Sequence, residues 1–236
     1  MKIIGLTGGI GTGKSTAAAY LKSKGFAHID ADEISRGLTA DGSPMLRRLE
    51  RVFGPAGEMG EPGTEILLPD GRLDRKALAS LVFSDEKKRK KLDEMMFGEI
   101  IREIDRQIEA YQQMDKAEKE SACAEQKDCE QPKAAAAPAQ PFHECFGILL
   151  DAPLLFEGNL DQKCDLVILL TASEQIRIDR VCQRDGVTAR EVRNRINSQM
   201  SDEDKKKRAD IIIDNSGSQK QLYERLDQMM KAIART

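Results

Sequence analysis

Gly8-Gly9-Ile10-Gly11-Thr12-Gly13-Lys14-Ser15-Thr16 is the stretch that decides the fold of this chain. A short apolar run (residues 3–6) precedes it, and a good helix-forming segment (residues 17–21) follows it. Strand, glycine-rich turn and helix is the context that the phosphate-loop pattern G-x-x-x-x-G-K-[ST] requires. Glycines let successive backbone N–H groups point inward, and the helix N-terminus adds its positive end. We therefore predict a phosphate site, in which Lys14 reaches the β- and γ-phosphates and Ser15 is a ligand of Mg²⁺.

The overall composition excludes several classes of partner. The chain has 236 residues and a formal net charge of -3, so nothing draws it as a whole toward nucleic acid or an anionic membrane. Tryptophan is absent and aromatic residues make up 4% of the chain, which argues against base stacking. The longest apolar runs, such as residues 166–170, are far too short to span a bilayer. We expect neither a nucleic-acid nor a membrane partner.

The cysteines and histidines do not form a zinc-binding pattern. The five cysteines contain no C-x-x-C pair, and only two histidines, His28 and His143, are present. Free thiols in a reducing compartment are the simpler interpretation. The first apolar run is broken by glycines and does not resemble a signal peptide, so we expect a cytoplasmic protein.

Five short apolar segments have the pattern of buried strands. Besides residues 3–6, they are residues 27–30, 146–151, 166–170 and 211–215. Most are continuous β-branched and leucine runs without alternation, which indicates strands covered on both faces, as in a parallel sheet. Helical patterns separate the strands. The sequence therefore predicts an α/β fold with a doubly wound, five-stranded parallel sheet.

The middle of the chain has helical periodicity. Residues 44–53 and a helix opened by Leu73-Asp74-Arg75 have apolar positions at helical spacing, and in the second we expect Leu78, Leu81, Val82 and Phe83 to face inward. A long apolar stripe follows over residues 92–111, typical of core packing. From about residue 115 to 141 the pattern dissolves into Lys, Glu, Gln and Ala, which indicates a solvated, partly disordered insertion.

Two further features bear on the reaction. Asp30-Ala31-Asp32 follows a predicted strand, at the sheet edge where open α/β folds bind ligands. One carboxylate can cap the next helix, while Asp32 can face an acceptor hydroxyl across the γ-phosphate. Late in the chain lies a group of arginines that is either a solvated charged face or a lid over a triphosphate: Arg177, Arg180, Arg184, Arg190, Arg193 and Arg195. The chain lacks N-K-x-D and T-K-x-D motifs, which argues against a guanine-nucleotide switch.

These motifs together resemble the dephospho-CoA kinase family. The resemblance runs in order through residues 6–16, Ile29-Asp30-Ala31-Asp32, residues 70–75, residues 151–157, Gln183-Arg184-Asp185 and residues 209–217. The phosphate loop is generic. The block Asp151-Ala152-Pro153-Leu154-Leu155-Phe156-Glu157 and the closing Asp214-Asn215-Ser216-Gly217 are much more specific.

The resemblance implies a reaction and roles for individual residues. The reaction is transfer of the ATP γ-phosphate to the ribose 3′-hydroxyl of dephospho-CoA, the last step of coenzyme A synthesis. By the resemblance, Asp32 accepts or orients the hydroxyl proton, and Arg184 belongs to the lid and adenine side. Asp151 holds a magnesium-bound water. ATP is held by Gly11, Thr12, Gly13, Lys14, Ser15 and Thr16.

The resemblance also implies a division of the chain into parts. A P-loop kinase core comprises residues 1–40, 142–176 and 208–236, and a helical acceptor-binding region comprises about residues 41–114. The insertion (about 115–141) and a lid (about 177–207) complete the single domain, which we expect to be a monomer or weak homo-oligomer. The nearest alternative is a nucleoside or nucleoside-monophosphate kinase with the same core.

The chain departs from the family pattern in three places. Phe97-Gly98 stands where the family usually has His-Pro, the loop between residues 57 and 68 is longer than usual, and the insertion has no usual counterpart. None of the three departures falls within the phosphate loop or at Asp32.

Overall fold

The computed structural model describes residues 1–83, 85–125 and 146–233. Within these residues the strands are β1 (Ile3–Gly8), β2 (Ala27–Asp30), β3 (Ile148–Asp151), β4 (Leu166–Thr171) and β5 (Ile211–Asp214). They form one five-stranded parallel sheet in the order β2-β3-β1-β4-β5. The chain winds first to one side of β1 and then to the other, which confirms the predicted doubly wound α/β sheet.

Helices occupy most of the described chain between the strands. Thr188 with Glu191, and Ser218 with Gln221, form capping boxes at the starts of two of these helices. The helices are α1 (Lys14–Ser23), α2 (Ala31–Leu38), α3 (Pro44–Phe53), α4 (Arg75–Phe83), α5 (Glu86–Glu125), a short 3-10 helix (Leu160–Lys163), α6 (Glu174–Asp185), α7 (Ala189–Asn197), α8 (Asp202–Arg208) and α9 (Gln219–Ile233).

The chain divides into two compact units. The first, which we call the core unit, contains residues 1–29 and 107–236, and the second, the helical unit, contains residues 30–106. In the core unit, Leu6 of β1 and Leu170 of β4 pack in one cluster with Leu21 of α1 and Leu226 of α9. All four side chains are fully buried, and burying each contributes about 1.5–3 kcal/mol. This packing fixes the strand and the helix that flank the glycine-rich loop.

The helical unit has its own apolar cluster, built from α3, α4 and the loop between them. Leu49, Phe53 and Ile66 are completely buried there, together with Leu78 and Leu81. The helices over residues 44–53 and from Arg75 are therefore confirmed.

The predicted inward position of Phe83 is wrong. Its side chain is 80% exposed, whereas Leu81 and Val82 are buried. Phe83 is the last residue of α4. It lies about 200° around the helix from Leu81, on the face turned away from the cluster.

The end of α5 also differs from expectation. We expected the helical pattern to end near residue 115, but α5 continues to Glu125. The rest of the predicted insertion, from residue 126 on, lies outside the described residues, as does His143. Across the described ranges, the structure contains no helix long and apolar enough to cross a membrane.

Candidate active site

The glycine-rich loop connects the end of β1 to the start of α1 in the core unit. Gly11 and Gly13 have φ values of 80° and 89°, in the left-handed region that other residues rarely adopt. Thr12 is buried, and its N–H and hydroxyl both donate to the Gly9 carbonyl, at 3.2 and 2.9 Å. Because α1 begins at Lys14, the N–H groups of Lys14 and Ser15 have no intrahelical acceptor and can donate to an anion, whereas the Thr16 N–H donates to the Gly13 carbonyl at 3.1 Å. The structure thus has the strand, turn and helix that phosphate binding requires.

Lys14 and Asp151 form an ion pair beside the loop. Lys14 Nζ donates to Asp151 Oδ1, and the two side chains are 14% and 4% exposed. Asp151 is the last residue of β3, which pairs in parallel with β1, so both residues lie at the carboxyl edge of the sheet. His28 Nε2 lies 3.4 Å from the other carboxylate oxygen, Oδ2. Asp151 therefore has a partner at each oxygen.

Ser15 and Thr16 occupy the first turn of α1. Ser15 is exposed and Thr16 is half-buried. A hydroxyl and a carboxylate are hard oxygen ligands of the kind that Mg²⁺ prefers, so the chemistry of Ser15 and Asp151 fits the ion that the loop motif implies.

Side chains from later in the chain hold the carbonyl groups of the loop. Asn215 Nδ2 donates to the Thr12 carbonyl at 2.8 Å, and a Cβ at Gly13 would lie 2.3 Å from the same nitrogen. Arg180 donates to the Gly11 carbonyl at 3.4 Å and to the Asn215 carbonyl at 2.9 Å. The loop is therefore packed against α6 and the end of β5, and only glycine fits at position 13.

Arg184 lies in a different setting from Arg180. It is in the last turn of α6, its side chain is 63% exposed, and it donates two hydrogen bonds to Asp185. The Arg184 guanidinium holds the pKa of the Asp185 carboxyl below its usual range, and Arg195 contributes to the same effect. The nucleotide role of Arg184 stays a prediction.

Asp32 belongs to the helical unit. It lies in the first turn of α2, two residues after β2 ends, and its backbone N–H donates to Asp30 Oδ1 at 2.8 Å. Asp30 also accepts from the Glu33 N–H at 3.0 Å and is therefore the helix cap. One of the two carboxylates is thus structural, as the sequence suggested, and the acceptor role of Asp32 stays a prediction. Phe97-Gly98 lies within α5.

Five residues that contact the loop or the Lys14–Asp151 pair received no individual role from the sequence. Arg177 and Arg180 appeared only as members of an arginine group, and His28 only as a failed zinc ligand. Gln199, which accepts a hydrogen bond from the Ile10 N–H, carries no motif of its own. A position near the loop could have been predicted for Asn215, because it directly follows β5 at the carboxyl edge of the sheet.

The similarity to known proteins covers most of the chain and is not confined to the phosphate loop. The family model described as "Dephospho-CoA kinase" matches residues 2–118 and 133–221. The dephospho-CoA kinase of Shouchella clausii is 33% identical over 233 residues, which cover 99% of this chain and 98% of that protein. The dephospho-CoA kinase of Corynebacterium glutamicum is 34% identical, over 98% of this chain and 96% of that protein.

Two solved structures have the same fold. TT1252 from Thermus thermophilus has a TM-score of 0.66 and 31% identity, over 99% of this chain and 96% of that one. A dephospho-CoA kinase from Campylobacter jejuni has a TM-score of 0.60 and 22% identity, over 99% and 97% of the two chains. With the family model matched along most of its length, this chain belongs to the dephospho-CoA kinase family.

Proposed function

We propose that this protein transfers the γ-phosphoryl group of ATP to the ribose 3′-hydroxyl of dephospho-CoA, giving coenzyme A and ADP. The observation that carries the proposal is a complete phosphate loop in a chain whose family match extends from residue 2 to residue 221, with one interruption. The loop supports the donor half of the reaction. Family membership supports the identity of the acceptor.

The core unit supplies the donor side. Residues Gly11–Thr16 bind the phosphates of ATP through backbone N–H groups and the Lys14 ammonium. The ammonium stabilises charge that develops on the transferred group, which is most of what an enzyme contributes to phosphoryl transfer. Ser15 would be a ligand of Mg²⁺ and Asp151 would contact the ion through water; when bound, the ion would supply positive charge that neutralises the phosphates. Arg184 contributes on the adenine side.

The helical unit supplies Asp32, which accepts or orients the proton of the 3′-hydroxyl. The carboxylate lies in the first turn of a helix whose cap is already provided by Asp30, so Asp32 is not needed as the cap. We further propose that the protein acts in the cytoplasm, as a monomer or weak homo-oligomer.

A panel of acceptors tests the reaction. With ATP and Mg²⁺ present, ADP release is measured with dephospho-CoA, AMP, CMP and free nucleosides. We expect turnover with dephospho-CoA. ATP consumption only with another nucleotide or a nucleoside would instead identify a kinase of that acceptor.

A matched pair of variants tests Asp32. Asp32→Asn should lower the rate of transfer by at least about 10²-fold while ATP affinity stays near wild type, because general-base catalysis contributes on this scale. Glu33→Gln is the control, since Glu33 lies in the same turn and carries the same charge. Equal rates in the two variants would remove Asp32 as the base.

A further inference from the structure

Two side chains from outside the loop hold the peptide groups on either side of Ile10. Arg177 Nε donates to the Ile10 carbonyl at 2.8 Å. Gln199 Oε1 accepts from the Ile10 N–H at 3.1 Å. Ile10 lies directly before Gly11, the first left-handed residue of the loop. Both backbone polar groups of Ile10 are therefore fixed from α6 and from the connection between α7 and α8.

Arg177 is itself closely packed and paired. Its side chain is only 4% exposed, and Nη1 lies 2.9 Å from Asp202 Oδ2 at the start of α8. A Cβ added at Gly9 would lie 2.3 Å from Arg177 Nη2, and one added at Gly11 would lie 2.7 Å from the Arg177 carbonyl. The guanidinium thus fills the space beside the loop and links the loop to α8.

The middle and the end of α8 contact the segment that follows β3. Lys205 is fully buried, and its Nζ lies 3.6 Å from Glu157 Oε1. Arg208 donates to Asp161 Oδ2 at 2.6 Å and to the Phe156 carbonyl at 3.2 Å. A buried ammonium is costly to displace from its counter-charge, so these contacts give α8 a defined position.

We propose that Arg177 and Gln199 are positioning residues of the phosphate loop, and that α8 is the brace that keeps Arg177 in place. By holding Ile10 at both polar groups, they keep the inward-pointing N–H groups aligned before nucleotide arrives. Preorganised donors bind more tightly because less freedom is lost on binding. The proposal rests on the proposed function only in that the loop binds a nucleoside triphosphate.

Binding of a non-hydrolysable ATP analogue tests the proposal without any acceptor. We compare the full-length protein with Gln199→Met, which keeps the side-chain length but removes the hydrogen-bond acceptor. The second variant is Arg177→Lys, which keeps the charge but loses the planar guanidinium and its several N–H donors. By calorimetry, each variant should raise the Kd for the analogue about tenfold, the effect of losing one such hydrogen bond. Because no acceptor is present, failure of the proposed reaction leaves this result unaffected.

Two control variants match the substitutions. Gln219→Met removes an exposed amide whose Nε2 bonds the Tyr223 hydroxyl in α9, and Arg106→Lys alters an exposed guanidinium paired with Glu103 in α5. Both should bind the analogue like wild type. Wild-type Kd values in Gln199→Met and Arg177→Lys as well would overturn the proposal.

A local measurement separates positioning from general stability. Amide hydrogen exchange at Ile10, followed by NMR in the nucleotide-free protein, should be about tenfold faster in Gln199→Met, while the melting temperature stays near wild type. Arg177 is buried, so Arg177→Lys can lower the melting temperature. Gln199 is only half-buried, and its variant therefore decides the question. A lower melting temperature with an unchanged Kd in Gln199→Met would show a purely structural role.

Discussion

Lys14→Met tests the pairing of the loop lysine with Asp151. The substitution keeps the length of the side chain and removes its charge. Asp151 then remains 4% exposed, with His28 at 3.4 Å as its other partner. Removing one member of a buried ion pair costs about 3–5 kcal/mol, because the other charge stays buried without compensation. His28 offsets part of this cost, so we expect about 3 kcal/mol.

The assay is thermal unfolding of the nucleotide-free protein. For a chain of this size, 1 kcal/mol corresponds to about 2–4 °C, so Lys14→Met should lower the melting temperature by roughly 6–12 °C. Adding Asp151→Asn to Lys14→Met replaces the unpaired carboxylate with a neutral amide and should restore part of the lost melting temperature. The transfer rate should stay about 10²–10³-fold below wild type in both, because the charge aimed at the phosphates is missing.

Two outcomes would refute this reasoning. If Lys14→Met melts within about 1 °C of wild type, the pair does not contribute to stability. If the double variant melts no higher than Lys14→Met, the cost does not come from the unpaired Asp151 carboxylate.

Three further predictions concern the loop, a buried thiol and the interruption in the family match. Gly13→Ala places a side chain on a residue with a φ of 89°, in the space that Asn215 occupies, so it should abolish binding of the ATP analogue in calorimetry. The control is Gly37→Ala, in α2 with open space around it, which should bind the analogue normally. Its free energy of unfolding should be higher than that of wild type by about 0.5–1 kcal/mol. Burial raises the pKa of the Cys164 thiol to about 12, above its unfolded value of about 8.5, so the neutral thiol stabilises the fold below pH ~8.5 and this contribution is lost as the pH rises toward 12. The free energy of unfolding measured in urea should therefore fall less above pH ~8.5 in Cys164→Ala than in wild type. Replacing residues 119–132, which the family model leaves unmatched, with a short Gly-Ser linker should leave the melting temperature and transfer unchanged.

Local patterns in the sequence were sufficient for the strands and most helix starts. Each strand is a short apolar run bounded by polar or glycine residues, and Thr188 and Ser218 open helices through bonds to residues three positions away. The end of α5 could not be seen in this way. Residues 115–125 lack an apolar stripe but contain many good helix formers, so propensity continues the helix where periodicity ends.

The candidate site was predictable where a rule about chain geometry applied. Carboxyl ends of parallel strands meet at one edge, which is why Asp30 and Asp32 could be placed at the ligand-binding edge of the sheet, whereas the role of Asp151 came only from the family resemblance. The same rule applied to Asn215 would have found it. Arg177 and Gln199 could not be found, because their contacts with Ile10 depend on how α6 and the α7–α8 connection dock against the loop.

The ion pair of Lys14 with Asp151 bears on how Lys14 would bind a phosphate, the role that we propose for it. An ammonium has three N–H donors, so Lys14 can keep its bond to Asp151 and still donate to phosphate oxygens. A free lysine side chain would lose about 2 kcal/mol of rotamer freedom on becoming fixed. Asp151 has already fixed part of it at the end of β3. His28, at the other oxygen, restricts the carboxylate in turn. The Lys14 ammonium is therefore oriented before nucleotide binds, and the rotamer freedom that this requires is lost when the protein folds.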